Sequence, residues 1–396
     1  MTPETCLVVG AGPVGLVAAL AAARKGLPTV VLEAEPRERV RPGSRAIVLM
    51  YPSLRRLDSI MPGLSRRIRA AGMTPHGYDA LYAGRRVFSA PVLNPGLMSS
   101  LPQRVTEQLL YAECLAHGVE FRWQAPVTGL DSGPDGVTLT LADGQRLAAG
   151  YVIGADGARS VVRTAIGARM RGSTDPTPFL IVDVDQHPDG STPLRGYFHY
   201  RCPELDGRNV MHMPFAGGLR VDLQCAPGDD VEFLSGPEGI GTWMPKVVDP
   251  WYAEHVQWVS HYRFHQVVAE SYTDTHRRVL LAGEAAHLFA PWGGRGLNSG
   301  IFDATDAAHA IAAAVADPHR RRRLIEDCAE RGRRWGRHNR DISSKGLRRM
   351  RGNDPRMRLQ RGVAARLAPA VWPAGAWLAN GPVQVPVPRP GARGFY

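Results

Sequence analysis

The chain alternates between two hydrophobic rhythms. Short continuous apolar runs, each cut off by glycine or acid, mark buried strands: Cys6-Leu7-Val8-Val9, Thr29–Leu32, Tyr151-Val152-Ile153 and Val279-Leu280-Leu281-Ala282. Segments with helical spacing follow three of them: alanine-rich Leu16–Lys25 ended by Gly26, Val161–Ile166, and the stretch from Asn298 to Val315. A strand, a glycine turn and a helix thus recur three times, separated by long inserts. That recurrence predicts one nucleotide-binding domain assembled from distant segments. Between the units the pattern changes. Helices are expected around Pro52–Ile60 and over Val105–His117, short strands over 74–99, and a small antiparallel sheet between Val119 and Leu147, where Val137–Leu141 alternates and the chain turns at Asp143-Gly144. Residues 168–275 carry alternating runs (Phe179–Val184, Leu194–Tyr200, Val210–Met213, Leu219–Cys225) and predict a mostly antiparallel sheet. Residues 316–361 read as helical, and the Pro- and Gly-rich chain from Pro369 onward as irregular.

Composition narrows this picture. A 396-residue chain with 44% hydrophobic and 21% charged residues can bury a large core and divide into two or three domains. The five cysteines are scattered, odd in number and without CxxC spacing, which argues against a disulfide framework or a metal site and fits a reducing cytoplasm. The apolar run Cys6–Ala23 lacks a basic flank and is interrupted by Gly10, Gly12, Pro13 and Gly15, so neither a signal nor a membrane-spanning helix is expected. Residues 320–361 hold 16 Arg or Lys against 5 Asp or Glu, as large an excess as the net +11 of the whole chain. With Trp335 as its single aromatic residue, this segment predicts a solvated helical face, with no nucleic-acid partner and no integral membrane contact.

The glycine turns carry the candidate chemistry. Gly10 permits a tight turn, Gly12 lets the backbone approach a pyrophosphate, and Gly15 lets the following helix pack closely. Glu33, 23 residues beyond Gly10, is placed to accept hydrogen bonds from a ribose. Arg45, in the loop Arg41–Ala46, is equally a phosphate-facing or a surface arginine. Downstream, Gly283-Glu284 and then Pro291, Gly293, Gly294 and Gly296 precede a helix start. Such a turn presents backbone N–H groups and a positive dipole end to an anionic or electron-rich group. In the strand-rich region, Tyr197, His199, Tyr200, His212, Met213 and Gln224 read as core or surface residues ahead of substrate contacts.

With GAGPVG at 10–15, GADGARS at 154–160 and GEAAHLFAPWGGRGLNSGIFDA at 283–304 in place, the chain resembles the single-component flavoprotein aromatic hydroxylases, the family of p-hydroxybenzoate hydroxylase and phenol hydroxylase. LPQRVTEQLL at 101–110 and YRFHQVVA at 262–269 support the likeness, which is nearest to the branch acting on phenolic acids and aromatic polyketides. The resemblance implies an α/β fold: a discontinuous Rossmann-like FAD-binding domain (1–73, 100–167, 276–320), an inserted, mostly antiparallel substrate-binding sheet (74–99, 168–275), and a helical, basic, then Pro/Gly-rich segment (321–396). It implies FAD held by Gly10, Gly12, Pro13, Val14 and Gly15 at the pyrophosphate and by Glu33 and Ala34 at the ribose. Arg45 and Gln103 would lie along the phosphates and ribityl chain, with Asp156, Gly157 and Glu284 in support. Pro291, Gly294, Gly296, Leu297 and Asn298 would border the isoalloxazine.

Tyr200, His212, Pro291 and Trp292 are weakly marked substrate contacts, and no side chain is assigned as nucleophile or base; His199, His212, His265 and His287 are the candidates considered, with a packing role the expectation for each. The implied reaction takes NADPH or NADH and O2 to hydroxylate an aromatic substrate through a flavin C4a-hydroperoxide, in a monomer or homodimer. Baeyer–Villiger or epoxidising chemistry, or a binding protein without oxygenase activity, are the alternatives on the same scaffold. A flavin halogenase is excluded by the missing WxWxIP signature and by the absence of lysine between Lys25 and Lys246. Two departures stand out. Glu284 takes the place of the family's aspartate, which predicts a shifted or weaker hold on the ribityl chain. RPGAR at 389–393 resembles the junction to a thioredoxin-like domain, and that domain is expected to be missing.

Overall fold

The computed structural model describes residues 4–38, 46–92, 94–352 and 354–383. β1 (Cys6–Val9) runs through a glycine turn into α1 (Pro13–Arg24), and β2 (Thr29–Leu32) returns parallel to β1. Both strands are buried along their whole length, and so is every residue of α1 from Gly15 to Ala22. An alanine-rich helix buried on all sides is apolar all round rather than amphipathic, because it is covered by neighbouring helices as well as by the sheet. β3 (Ala46–Met50), α2 (Tyr51–Ile60) and α3 (Leu64–Ala71) come next, followed by β4 (Gly77–Tyr82), β5 (Arg85–Pro91), β6 (Met98–Pro102) and α4 (Gln103–Ala116). β3 and β6 form a two-stranded antiparallel ribbon from Ala46↔Pro102 to Met50↔Met98.

β7 (Glu120–Arg122) then pairs in parallel with β2, while β8 (Val127–Ser132), β9 (Val137–Leu141) and β10 (Arg146–Ala149) form a separate antiparallel sheet. The expected small sheet therefore begins at Val127. The chain just after Val119 instead extends the parallel sheet, since a three-residue edge strand is too short to show a period of its own. β11 (Tyr151–Gly154) lies beside β1 and is followed by the short helix α5 (Val161–Ala165).

The strand-rich region holds β12 (Met170–Asp185), β13 (Arg195–Cys202), β14 (Arg208–Phe215) and β15 (Gly218–Gln224). Three short helices, α6 (Val231–Ser235), α7 (Pro237–Trp243) and α8 (Trp251–Glu254), precede the long β16 (Val256–Ala269). β17 (Val279–Leu281) completes the five-stranded parallel sheet β17-β11-β1-β2-β7. β18 (His287–Leu288) caps an eight-stranded sheet, β18-β16-β12-β15-β14-β13-β4-β5, antiparallel except where β13 meets β4.

The helices α9 (Arg295–Ala316), α10 (Arg321–Arg351), α11 (Pro355–Leu367) and α12 (Trp372–Val383) follow. α9 packs on α1 and is itself covered by α10. The last of these helices corrects the expectation of irregular chain beyond Pro369 as far as Val383; the remainder of that stretch lies outside the described residues. Pro373 falls at the second helical position, where its missing N–H costs nothing. Burial then holds the helix. Leu378 and Ala379 are about fully buried, the rings of Trp372 and Phe88 meet edge-on at 4.8 Å, and the Tyr200 hydroxyl donates to the Leu378 carbonyl at 2.9 Å. Gly375 is required there, because a Cβ would sit 1.9 Å from the Phe88 ring.

Candidate active site

At the end of β1 the backbone turns through Gly10, whose φ of +101° and whose 2.5 Å approach of a would-be Cβ to the Ala155 carbonyl both demand glycine. Gly15 is equally constrained, since its Cβ would lie 1.9 Å from the Gly10 carbonyl. The helix that follows has no side-chain cap and no acid in its first turn. Glu33 is buried, and its carboxylate accepts the Ala11 N–H at 2.7 Å and the Glu35 N–H at 3.1 Å. It thus braces the glycine turn from the end of β2.

A cavity of about 370 Å³ opens over this turn. Gly10, Gly12, Pro13, Val14, Glu33 and Ala34 line one side of it; Gln103, Asp156, Gly157 and Glu284 line the other. Gly296 and Leu297, in the first turn of α9, close its far end. That helix also starts without a side-chain cap or acid, from Gly294 at φ +61°. Two helix amino ends therefore open on one cradle. Each favours negative charge by roughly 0.3–1 kcal/mol when exposed and up to about 2 kcal/mol when partly buried. This donor set fits a dinucleotide with a pyrophosphate at one end and an electron-rich ring edge at the other.

Of the other expected residues, Arg45 lies outside the described residues, and so does the side chain of Trp292. Pro291 and Gly294 shape the turn without lining either of the two cavities described here. Asn298 faces away from the cradle, and its amide joins distant segments. Oδ1 accepts the Met50 N–H at 2.9 Å, while Nδ2 donates to the carbonyls of Val48 at 2.8 Å and Gly294 at 2.5 Å. Asp156 lines the cradle, yet its carboxylate also caps α5. One oxygen accepts the Ser160 hydroxyl at 2.5 Å and the other the N–H groups of Val161 and Val162 at 2.7 and 3.1 Å.

Several contacts between these residues, and Gly300, Arg163 and Asp303 as participants, were not singled out in the sequence. Val14, Gly283 and Gly300 interlock: a Cβ at Gly283 would be 2.9 Å, and one at Gly300 2.6 Å, from the Val14 side chain. Arg163 donates to the Ala285 carbonyl at 3.1 Å, tying α5 to the Gly283–Ala285 turn. His287 Nε2 and Asp303 Oδ2 lie 2.6 Å apart, both side chains buried, and the same oxygen accepts the Gly283 N–H at 3.2 Å. The FDA at 302–304 contained the Asp303 signal, but its partner could be found only in three dimensions.

The histidines weighed as bases stand apart from both cavities, and two of the weak substrate contacts, Tyr200 and His212, are corrected. None of His199, His212, His265 and His287 lines either cavity. His287 is held by Asp303 and stacks on Phe289 at 4.5 Å, and His199 Nε2 accepts the Gly84 N–H at 3.0 Å. His212 is buried against Tyr197, and desolvation pulls its pKa down to about 3, leaving it neutral. Tyr200 is buried beneath α12 with its hydroxyl committed to Leu378. Alternation along β13 and β14 places Tyr200 and His212 in packed interior, because this sheet is covered by helices and not by open space.

A second cavity, of about 590 Å³, lies on the other side of the glycine turn. Its walls come from α9 and α10 and its floor from β17 and Tyr272; Met50, Leu97, Met98 and Gly293 close its inner end. The glycine turn 293–298 thus separates two spaces, a polar cradle and a larger, mainly apolar chamber.

A parallel sheet with a strand–glycine–helix cradle, long β-sheet and helical cover is the architecture of a flavin-nucleotide protein. The chain belongs to the family of FAD binding domains, whose family model matches residues 4–340. It is 31% identical over 339 residues to the 3-(3-hydroxy-phenyl)propionate/3-hydroxycinnamic acid hydroxylase of Mycobacterium avium (strain 104), covering 78% of this chain and 55% of that protein. It is 29% identical over 382 residues to the para-nitrophenol 4-monooxygenase of Pseudomonas sp. (strain WBC-3), covering 91% and 90%. The crystal structure of p-nitrophenol 4-monooxygenase PnpA from Pseudomonas putida DLL-E4 superimposes with a TM-score of 0.78 at 25% identity, over 95% of this chain and 97% of that one. The chain spans about half the length of the hydroxyphenylpropionate hydroxylases it matches.

Proposed function

We propose that this protein is an FAD-dependent monooxygenase that uses NADPH or NADH and O2 to hydroxylate a small aromatic substrate. The observation that carries this reading is the pair of uncapped helix amino ends meeting at one cradle, with a chamber of about 590 Å³ beginning at the same glycine turn. Segments 1–73, 100–167 and 276–320 hold the cofactor in this reading, and 74–99 with 168–275 complete the substrate side. Bound FAD supplies the redox chemistry between reduced nicotinamide and O2.

The protein's own residues bind, orient and exclude water. The N–H groups at the start of α1 would hold the pyrophosphate, and Glu33 holds the turn that presents them. The N–H groups at the start of α9 would favour negative charge on the flavin. Asn298 fixes that start against β3, so the donors are oriented before any ligand arrives. Met50, Leu97 and Met98 provide apolar contact for the substrate ring and keep water from the reacting end. No side-chain nucleophile or metal is needed. Among the described residues no helix is long and apolar enough to cross a membrane, and the five cysteines are buried and unpaired, in keeping with a cytoplasmic enzyme.

The test is the visible spectrum of the purified protein with and without added FAD, followed by NADPH or NADH in air with a panel of phenols. Flavin bands, coenzyme oxidation accelerated by a phenol, and a product heavier by one oxygen atom are expected. Retained flavin with no oxygen incorporated into any aromatic compound would overturn the hydroxylase reading.

A further inference from the structure

α11 turns two unlike faces to its surroundings. Arg361, Ala364, Ala365 and Ala368 face the body and are buried, with the Arg361 guanidinium 5.2 Å over the Tyr200 ring and its Nη1 donating to the Met350 carbonyl at 3.1 Å. The opposite face shows Leu359, 70% exposed, Val363 and Leu367, each 47% exposed, and Val371, 40% exposed, just past the helix end. A spacing of four residues keeps the three helical side chains in one row. Single exposed apolar residues are ordinary, but four of the ten large ones exposed among the described residues fall together here.

The charges beside the row have one sign. From Pro355 to its end the chain contains no Asp or Glu. Arg356 stands one turn before Leu359 and Arg366 one turn after Val363, so both project beside the row. Both are exposed, and neither pairs with a carboxylate among the described residues. Asp354, the nearest acid in sequence, caps the helix by accepting the Arg356 N–H at 3.0 Å. None of the four apolar residues lines either cavity, so the row is a ridge and not the wall of a ligand cleft.

We propose that the outer face of α11 docks on an anionic phospholipid bilayer, with the apolar row entering the boundary between headgroups and acyl chains and Arg356 and Arg366 reaching lipid phosphates. Charge selects the partner, because an apolar row bordered by unpaired arginines complements an anionic surface. Arginine stems lie along apolar surface while their charged ends stay with the phosphates. A bilayer also accepts a lone ridge, whereas a protein partner needs a cleft shaped to it. The contact is peripheral and reversible, since among the described residues no helix is long and apolar enough to cross a membrane. Docking requires no turnover, so the inference is independent of the oxygenase reading.

The experiment is flotation of the FAD-supplied full chain with vesicles of phosphatidylcholine alone and of phosphatidylcholine and phosphatidylglycerol in equal parts, at low and high salt. Wild type is expected to bind the mixed vesicles at least about tenfold more tightly, with the preference shrinking as salt is raised. Leu359→Ser with Val363→Ser should weaken binding to mixed vesicles about tenfold. Arg356→Gln with Arg366→Gln should weaken it similarly, whereas Arg322→Gln with Arg323→Gln, an equal loss of charge at the far end of α10, should change it less than about twofold. That comparison separates docking by α11 from diffuse attraction of a chain with net charge +11. Because the five native cysteines are buried, Val363→Cys can carry an environment-sensitive dye, which should brighten and shift to the blue on mixed vesicles. Circular dichroism and flavin absorbance of each variant report folding and cofactor retention. No binding, equal binding to both vesicle types, or binding that survives the serine pair and the Arg356/Arg366 pair would overturn the proposal. So would a dye already shielded without vesicles in a protein that sediments as a dimer, the result expected if a second copy covers the row.

Discussion

Gly300 offers the sharpest test of how the cradle is built. It lies on α9 where that helix crosses α1, and a methyl group there would sit 2.6 Å from one Val14 methyl and 3.2 Å from the Gly283 Cα. Val14 is β-branched and helical, so its χ1 is stiff and it cannot swing aside. The Gly300→Ala change gains about 1 kcal/mol in helix propensity and meets an overpacking cost of about 1–3 kcal/mol. The balance is a destabilisation of up to about 2 kcal/mol, or a fall of a few degrees in Tm. The crowding is relieved most easily by moving the Gly283–Glu284 turn, which lines the polar cavity, so FAD affinity should fall with stability. If about 1.4 kcal/mol of the cost is released only when that turn leaves its place, Kd rises about tenfold. The assay is a thermal melt of the apoprotein paired with a flavin-fluorescence titration. Val14→Ala removes the obstructing methyl groups, so the double variant should recover both properties. A Gly300→Ala protein with unchanged Tm and Kd, or a double variant no better than the single one, would refute this account of the interlock.

Other outcomes follow from separate features. Asp303→Ala leaves the buried His287 and the Gly283 N–H without their acceptor and should destabilise the fold by about 1–3 kcal/mol, whereas Asp303→Asn keeps an acceptor and should cost less; denaturant unfolding compares them. Asp222 is buried beside the Asp183–Arg220 pair, and desolvation pushes its pKa up to about 7. Its folded form therefore keeps a proton that the unfolded chain releases near its ordinary value of about 4, so its contribution is present below that value and is lost as pH rises toward 7. Melts at pH 5 and pH 8 should show Asp222→Asn gaining more over wild type at the higher pH; an equal gain at both would contradict the assignment. Gly375→Ala drives a methyl into the Phe88 ring and should lower stability by about 1–3 kcal/mol in the same unfolding assay, with recovery on Phe88→Leu.

The strand–turn–helix units were legible because their causes are local. A four-residue apolar run between breakers has to be buried, and the Gly10 turn has to adopt φ near +101° whatever surrounds it. Twelve of the seventeen residues expected around the cofactor line one cavity, because the motif spacing fixes where each turn lies at the end of its strand. The roles of individual side chains were less legible. His199, His212, His287 and Tyr200 carry reactive-looking groups, but reactivity depends on what faces them, and here it is Gly84, Tyr197, Asp303 and the Leu378 carbonyl. The helix at Trp372–Val383 was hidden for the opposite reason. Its prolines and glycines argue locally against helix, and its stability comes from burial against β4 and β5, which lie some 280 residues earlier in the chain.

By itself, the order of apolar runs, glycines and acids determined the parallel nucleotide-binding sheet, the long antiparallel sheet and the position of the cradle. Tertiary structure alone decided that Asn298 clips α9 to β3 and that Val14 interlocks with two glycines. Backbone conformation answers to neighbours a few residues away, whereas the pairing of a charge or the filling of a space depends on segments hundreds of residues apart.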